Sequence, residues 1–398
     1  MDAARAPGAE LTDRALNRAT LARQLLLERL PLTPAEGTSR VLALQTQEPA
    51  SAYLALAARL AGFDPAALDA AYAAGDLARG THMRQTLHTV HVADYPAVHG
   101  AMHRRLHGGR LGDPRFQATG LKAKDVLDVL PELLDYLAEP RSKDEVDDWL
   151  GERLGTRHER TWWALRTFAP VWHVPNGGAW AFGRGHGFRA SPVPRLEPWE
   201  EAAGLMLRRY LEAFGPATLA DFARFTLLTR EMVREAVAAA GDGLVRYRGP
   251  GGAELLDVPG APLPGEDVPA PARLLPMWDS LHLAHEAPGR ALSAAHRPAV
   301  VKRNGDVLPT LLLDGYVAGV WRPVPGGVEV TTFRRLTRSE WDEVAAEAAG
   351  VAALLAARDP RVYARQGNWF REIDGVEVRT LPAWAAPPGA TRARGGPR

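Results

Sequence analysis

Two glutamines one residue apart, Gln45 and Gln47 in the stretch LQTQEP (44–49), are the first candidates for chemistry in this 398-residue chain. A carboxamide neither gains nor loses a proton at accessible pH, so the pair is a poor acid and a poor base. It offers an acceptor and two donors per side chain, enough to orient a water and place partial charge beside a developing cation. Helix-capping or solvent-facing amides fit the same spacing. On a regular helix, residues i and i+2 point about 200° apart, so the two amides meet at one centre only off the helix. Pro49 disfavours helical geometry at Glu48. This predicts that the pair sits at the end of a helix or in the turn after it.

Other chemistries find little support. With no cysteine, thiolate zinc sites, disulfides and cysteine nucleophiles are excluded. Among the 12 histidines no HExxH pattern occurs. His282 and His285 in LHLAHEA (281–287) would share a face if helical, but Glu286 is the only acid at hand, so no metal is expected. A serine nucleophile elbow, a P-loop and a dinucleotide fingerprint are absent, and GRGHG (183–187) lacks the strand–helix context such loops require. No cofactor is expected.

Composition suggests an ordinary soluble chain with a formal net charge of +1. There is no run of eighteen apolar residues, and the polar, acid-containing start (MDAARAPGAELTDRA) does not read as a signal peptide, so a cytoplasmic location is expected. Lys122, Lys124, Lys143 and Lys302 are the only lysines, and the other 44 basic residues are arginine. Arginine suits bidentate phosphate and base-edge contacts, although a GC-rich genome produces the same bias.

The elements that must position these residues follow a recurring order of helix, helix, then two short strands around a glycine-rich turn. Ser142 and Glu145 form a capping box before a helix in SKDEVDDWL (142–150). RTWWALRTFA (160–169) has helical spacing, and VWHVPNGGAWAFG (171–183) reads as strand, turn, strand. The order repeats in TLADFARFT (218–226), TREMVREAVAAA (229–240) and GLVRYRGPGGAELLDV (243–258). Helices around 12–29, 34–46, 50–61 and 65–74, then extended THMRQTLHTVHV (81–92), fit the same template. The reading is α+β: three tandem winged-helix units over 12–110, 120–196 and 200–260. A Pro-rich linker (259–275) leads to a C-terminal antiparallel β/α unit (270–385), with strands in 311–333 and a long helix over 337–356 capped by Thr337 and Glu340. A disordered tail is expected over 386–398.

In winged-helix units the second helix enters a groove and the wing contacts backbone. Candidate DNA contacts are therefore Arg160, Arg166, Arg230 and Arg234, each of which taken singly also fits a solvated surface. LALQTQEPASAYLALAARL (42–60), MRQTLHTVHVADYP (83–96), VWHVPNGGAWAFG (171–183), YLEAFGPATLADFARFTLL (210–228) and LLLDGYVAGVWR (311–322) together resemble the winged-helix DNA glycosylases of the AlkZ/YcaQ type, in the same order over about residues 15–385.

The resemblance implies tandem winged helices around a basic concave surface, and a catalytic motif of Gln, any residue, then Gln or Asp. Here that motif is Gln45-Thr46-Gln47, the version of the AlkZ-like branch. It further implies a monofunctional glycosylase for N7-alkylguanine, including bulky natural-product adducts and interstrand crosslinks, in base excision repair and antibiotic self-resistance. On that reading His173 lies on a hairpin that probes the groove, and Arg84 and His88 touch phosphate or sugar. Trp321 and Arg322 form either a packed corner or a groove-facing tip, with packing favoured for Trp321. The partner is double-stranded DNA bound by a monomer. WDSLHLAHEAPGR (278–290) departs from the relatives' pattern where Ala287-Pro288 replace an acidic position. A non-catalytic winged-helix DNA-binding protein or transcriptional regulator is the alternative.

Overall fold

The computed structural model describes residues 8, 10–286 and 289–382. The tail expected over 386–398 and the Ala287-Pro288 departure lie outside the described residues. Among those described, no helix is long and apolar enough to cross a membrane.

Four antiparallel sheets are joined by helices. β1 (Leu44–Gln45), β2 (Leu77–Thr81) and β3 (Leu87–His91) form one sheet in the order β1-β3-β2. β4 (Val171–Val174) pairs with β5 (Gly187–Ala190), and β6 (Val245–Arg248) with β7 (Glu254–Asp257). The C-terminal sheet runs β12-β11-β10-β9-β8, from β8 (Arg273–Leu275), β9 (Thr310–Leu313), β10 (Tyr316–Val324), β11 (Gly327–Thr332) and β12 (Glu377–Pro382).

Local signals place most helices. Thr12, Ser142, Thr218, Thr229 and Thr337 each accept a hydrogen bond from the first turn of the helix that follows, and the boxes at Ser142/Glu145 and Thr337/Glu340 are complete. The helix expected over 34–46 ends at Arg40. Leu42 is left-handed at φ 71°, and the chain beyond it turns extended to pair with β3. Strand pairing thus overrides local helical propensity at the Gln motif.

The hairpin expected within 171–183 is also built differently. The partner of β4 is Gly187–Ala190, and the intervening NGGAWAF stretch is a tucked loop. Its reason is aromatic burial. Trp180 packs edge-on against Tyr53 at 5.1 Å and Phe182 against Tyr72 at 4.9 Å, so the loop clamps the second hairpin onto the first unit.

Cores ignore the boundaries drawn along the chain. One cluster joins Tyr53, Leu56 and Tyr72 of the first unit to Trp180 and Phe182, and then to Leu311, Trp321 and Trp341 beyond the Pro-rich linker. A second unites helices Tyr95–Leu111, Glu159–Phe168, Trp199–Phe214 and Leu219–Thr226. Gly100 is required at one crossing, because a Cβ there would lie 2.6 Å from the Leu196 carbonyl oxygen. Trp321 is fully buried and donates its indole N–H to Leu275 O at 2.8 Å, so packing is its role.

Candidate active site at the Gln45–Gln47 segment

β1 is only two residues long, and its register sets the site. Leu44 lies opposite Thr89 and Gln45 opposite His88, and Thr46 N–H donates to Leu87 O at 2.8 Å. Gln45 ends the strand and Gln47 lies in the bend that follows, so neither is in a helix and the pair escapes the divergence that a helix would impose. The two are nonetheless unlike. Gln45 is 6% exposed, whereas Gln47 is open to solvent.

Arg84 donates from Nη2 to Gln45 Oε1 at 2.6 Å and from Nη1 to Phe225 O at 3.1 Å, with its guanidinium 5.2 Å from the centre of the Phe225 ring. Because arginine only donates, the Gln45 atom facing it must be the oxygen, and the Gln45 amide NH2 is left as the free end. Gln47 Oε1 has one long contact, from Leu87 N–H at 3.4 Å, and so remains available as an acceptor. Arg84 also faces His88 Nε2 at 3.2 Å, while His88 Nδ1 donates to Thr86 O at 3.0 Å. The His88 ring is therefore neutral with its proton on Nδ1. Burial and the Arg84 charge push its pKa far below the usual value.

His88 has no exposed surface. Enclosed between Arg84 and the Thr86 carbonyl, it cannot reach phosphate or sugar as expected from the sequence, and instead braces Arg84. His173 on β4 is also nearly buried, and its Nδ1 faces Arg79 Nη1 at 3.0 Å. Arg79 on β2 reaches the motif as well, through Nη2 to Thr46 O at 2.9 Å. It was not singled out from the sequence. LARGT looks like an ordinary strand, and only the fold shows this arginine pointing inward.

Neither Arg79 nor Arg84 has a carboxylate within hydrogen-bonding distance among the described residues. Burial lowers the Arg79 pKa to about 10, and burial with the nearby Arg224 charge lowers that of Arg84 to about 9. Both remain charged at neutral pH. Glu48 is the acid nearest in sequence, and its carboxyl is raised by burial against the opposing pull of Arg365 and Arg79.

Backbone strain gathers here too. Arg84 and Gln85 (φ 54° and 58°) occupy the left-handed region, as does Leu227 (φ 61°), two residues beyond the carbonyl that Arg84 holds. Such conformations persist where surrounding structure over-determines them.

The remaining sequence candidates are more dispersed. Arg166 is half-buried over Phe188, and Arg160 pairs with Glu159 at 3.0 Å. Arg230 and Arg234 are exposed on the helix Arg230–Ala240. Arg322 donates to Glu329 at 2.6 Å across the β10–β11 pair, so its charge is already balanced. His282 bonds Thr310 Oγ1 and His285 donates to Phe214 O, two separate partners rather than one shared centre. Clefts beside Arg29 and the helix Arg338–Ala357, and another lined by Pro170, Ser191 and Arg195, do not include the motif.

The fold can now be set beside known structures. A solved structure of the Streptomyces sahachiroi DNA glycosylase AlkZ superposes with a TM-score of 0.74, covering 87% of this chain and 97% of that one, at 23% identity. The two share a mixed helix and strand fold with small antiparallel sheets. The "Interstrand DNA cross-link repair glycosylase" of the same organism is 27% identical over 356 residues, 83% of this chain and 93% of its own length. The profile of the family described as "DNA glycosylase AlkZ-like" matches residues 38–354. This chain belongs to the AlkZ-like DNA glycosylase family. It is a DNA repair glycosylase, which displaces the non-catalytic alternative.

Proposed function

We propose that this enzyme hydrolyses the N-glycosidic bond of N7-alkylguanine in duplex DNA, including bulky adducts and interstrand crosslinks. The observation that carries the reading is the pair of neutral amides, Gln45 and Gln47, at a site that bonds no carboxylate to either amide. A base alkylated at N7 already bears positive charge, so it departs neutral and needs no proton from a general acid. The remaining work is to place a water at C1′ and stabilise an oxocarbenium-like sugar, which oriented amide dipoles can do.

The two glutamines divide this work. Gln47 Oε1 orients the water. Gln45, its oxygen held by Arg84, directs NH2 toward a sugar or phosphate oxygen. Two buried guanidiniums would oppose a sugar cation if left uncompensated, and the phosphates flanking the lesion supply that compensation. The hairpins β2–β3, β4–β5 and β6–β7 act as the wings of three winged-helix units, and Arg160, Arg166 and Arg230 contact the DNA backbone. The relative named for interstrand cross-link repair supports the crosslink part of the reading.

The test is to incubate the purified protein with duplexes carrying N7-methylguanine, a bulky N7 adduct or an N7–N7 crosslink, and to score alkali-labile abasic sites. Excision from at least one is expected. Failure on all three would overturn the substrate reading.

A further inference from the structure

We propose that Arg79 is a positioning residue that fixes His173 as the Nε2–H tautomer and ties it to the Gln45–Gln47 segment. The proposal rests on the substrate reading above for its kinetic consequence, and on geometry alone for the tautomer.

Arg79 is 3% exposed, with no carboxylate among its hydrogen-bond partners. A guanidinium taken out of water without an anion carries a large desolvation cost, so its retention calls for a reason. Its contacts supply one. Nη2 holds the carbonyl of Thr46, the residue between the two glutamines, and Nη1 reaches across to His173 on a different hairpin. The plane lies 4.7 Å from the Phe182 ring centre, on the loop that clamps these hairpins together.

A guanidinium can only donate. His173 Nδ1 must therefore accept, which leaves the ring neutral with its proton on Nε2. A doubly protonated ring would set an N–H against the arginine N–H, and burial together with the Arg79 charge disfavours it strongly. His186 Nε2 lies 2.7 Å from the same Nδ1, while His186 Nδ1 faces Gly183 O at 3.1 Å. With Arg79 donating to His173 Nδ1, a neutral His186 must carry its proton on Nε2, because two unprotonated nitrogens cannot face each other at 2.7 Å. Of the two donors, Arg79 is the one that stays protonated at every pH near neutrality. His173 Nε2 makes no hydrogen bond among the described residues and is not sealed from solvent. It thus offers a neutral donor to a phosphate or sugar oxygen of the nucleotide being excised. Because one guanidinium grips both parts, donor and amides keep a fixed relative position.

The tautomer is read directly on the wild-type enzyme by long-range 1H–15N correlation spectra, with His173 assigned by comparison with H173Q. A neutral ring protonated at Nε2 from pH 6 to 8 is expected, and an Nδ1–H ring or an imidazolium in that range overturns the proposal. In single-turnover excision of N7-methylguanine, R79M should be slowed roughly a hundredfold, the scale of a misplacement of about 1 Å. The loss in R79M/H173A should fall well short of the product of the two single losses, the Thr46 contact accounting for what remains beyond H173A. R79K should recover part of the rate by keeping one donor. Losses that add in the double variant overturn the coupling. Should R79M not fold, the wild-type spectrum and R79K decide the matter. If the wild type excises nothing, the substrate reading falls, while the spectra still settle whether Arg79 sets the tautomer.

Discussion

Among the buried and half-buried arginines, two pairs are held in opposite ways. Arg23 and Arg59 each meet an aspartate bidentately, Asp257 at 2.7 Å through both nitrogens and Asp279 at 2.9 Å through both. Burial alone would raise the Asp279 carboxyl, but Arg59 outweighs it and holds the group below its usual range. Arg79 and Arg84, beside the Gln motif, bond only carbonyls, an amide oxygen and ring nitrogens. Arg23 and Arg59 thus fasten distant parts of the chain with their charge balanced by a bonded carboxylate. The second pair is unbalanced at bonding distance, with Glu48 acting on Arg79 only from farther away. On the proposed function, the phosphates of bound DNA compensate the second pair.

The largest expected effect breaks the balanced side. Arg59→Met leaves Asp279 buried without its partner, and the loss should be roughly 3–5 kcal/mol, read as a fall in the midpoint of urea unfolding. A shift within experimental scatter would mean that the pair contributes little to holding the first unit against the C-terminal one. Next come the amides. Gln45→Ala and Gln47→Ala should each lower single-turnover excision about 10²–10³-fold, the usual loss for one preorganised electrostatic group, with unfolding midpoints close to wild type. Full excision by both variants would remove the motif from the chemistry.

Arg84→Met probes the unbalanced side directly. It should reduce excision about tenfold or more through loss of the hold on Gln45, yet destabilise the fold less than Arg59→Met does, because no carboxylate is stranded. Equal destabilisation by the two would erase the distinction drawn above. Arg322→Ala, which removes a half-exposed pair with Glu329, should change stability by only about 0–1 kcal/mol and leave excision unchanged.

The smallest expected effect is an absence of change. His88 and His173 are both pushed far below the ordinary imidazole value by burial, so neither takes up a proton near neutrality. The single-turnover rate should therefore show no histidine titration between pH 6 and 8. Stability has a definite sign on the acid side. His82 and His285 are lowered to about 3 and His282 to about 4, in each case mainly by burial. Below their ordinary value of 6.5 the unfolded chain binds more protons than the folded one. Stability should accordingly fall as pH drops from about 6.5 toward 4, measurable as a declining urea midpoint.

The sequence by itself determined much of the local architecture. A hydroxyl followed three residues later by an acid marks a helix start whatever surrounds it, which is why Ser142 and Thr337 begin helices as expected. Tight Gly turns between alternating residues likewise fixed the β6–β7 and β9–β11 pairings. Helix Tyr95–Leu111 escaped notice because glycines and histidines interrupt its apolar pattern. β12 joins the edge of a sheet whose other strands are more than forty residues away in sequence, a pairing that no local window contains.

At the site, the resemblance to the AlkZ-like glycosylases singled out Gln45 and Gln47, while spacing alone required only that two converging amides leave the helix, since that follows from the 100° step of a helix. What only the tertiary structure decided is which groups approach them. The β1–β3 register brought His88 opposite Gln45 and sealed it from solvent, and the aromatic clamp of Trp180 and Phe182 carried His173 to Arg79. Such meetings depend on side chains far apart in sequence finding a common burial, and a linear pattern carries no record of that. The motif pointed to the amides, and the packing of three distant segments decided their orientation and their partners.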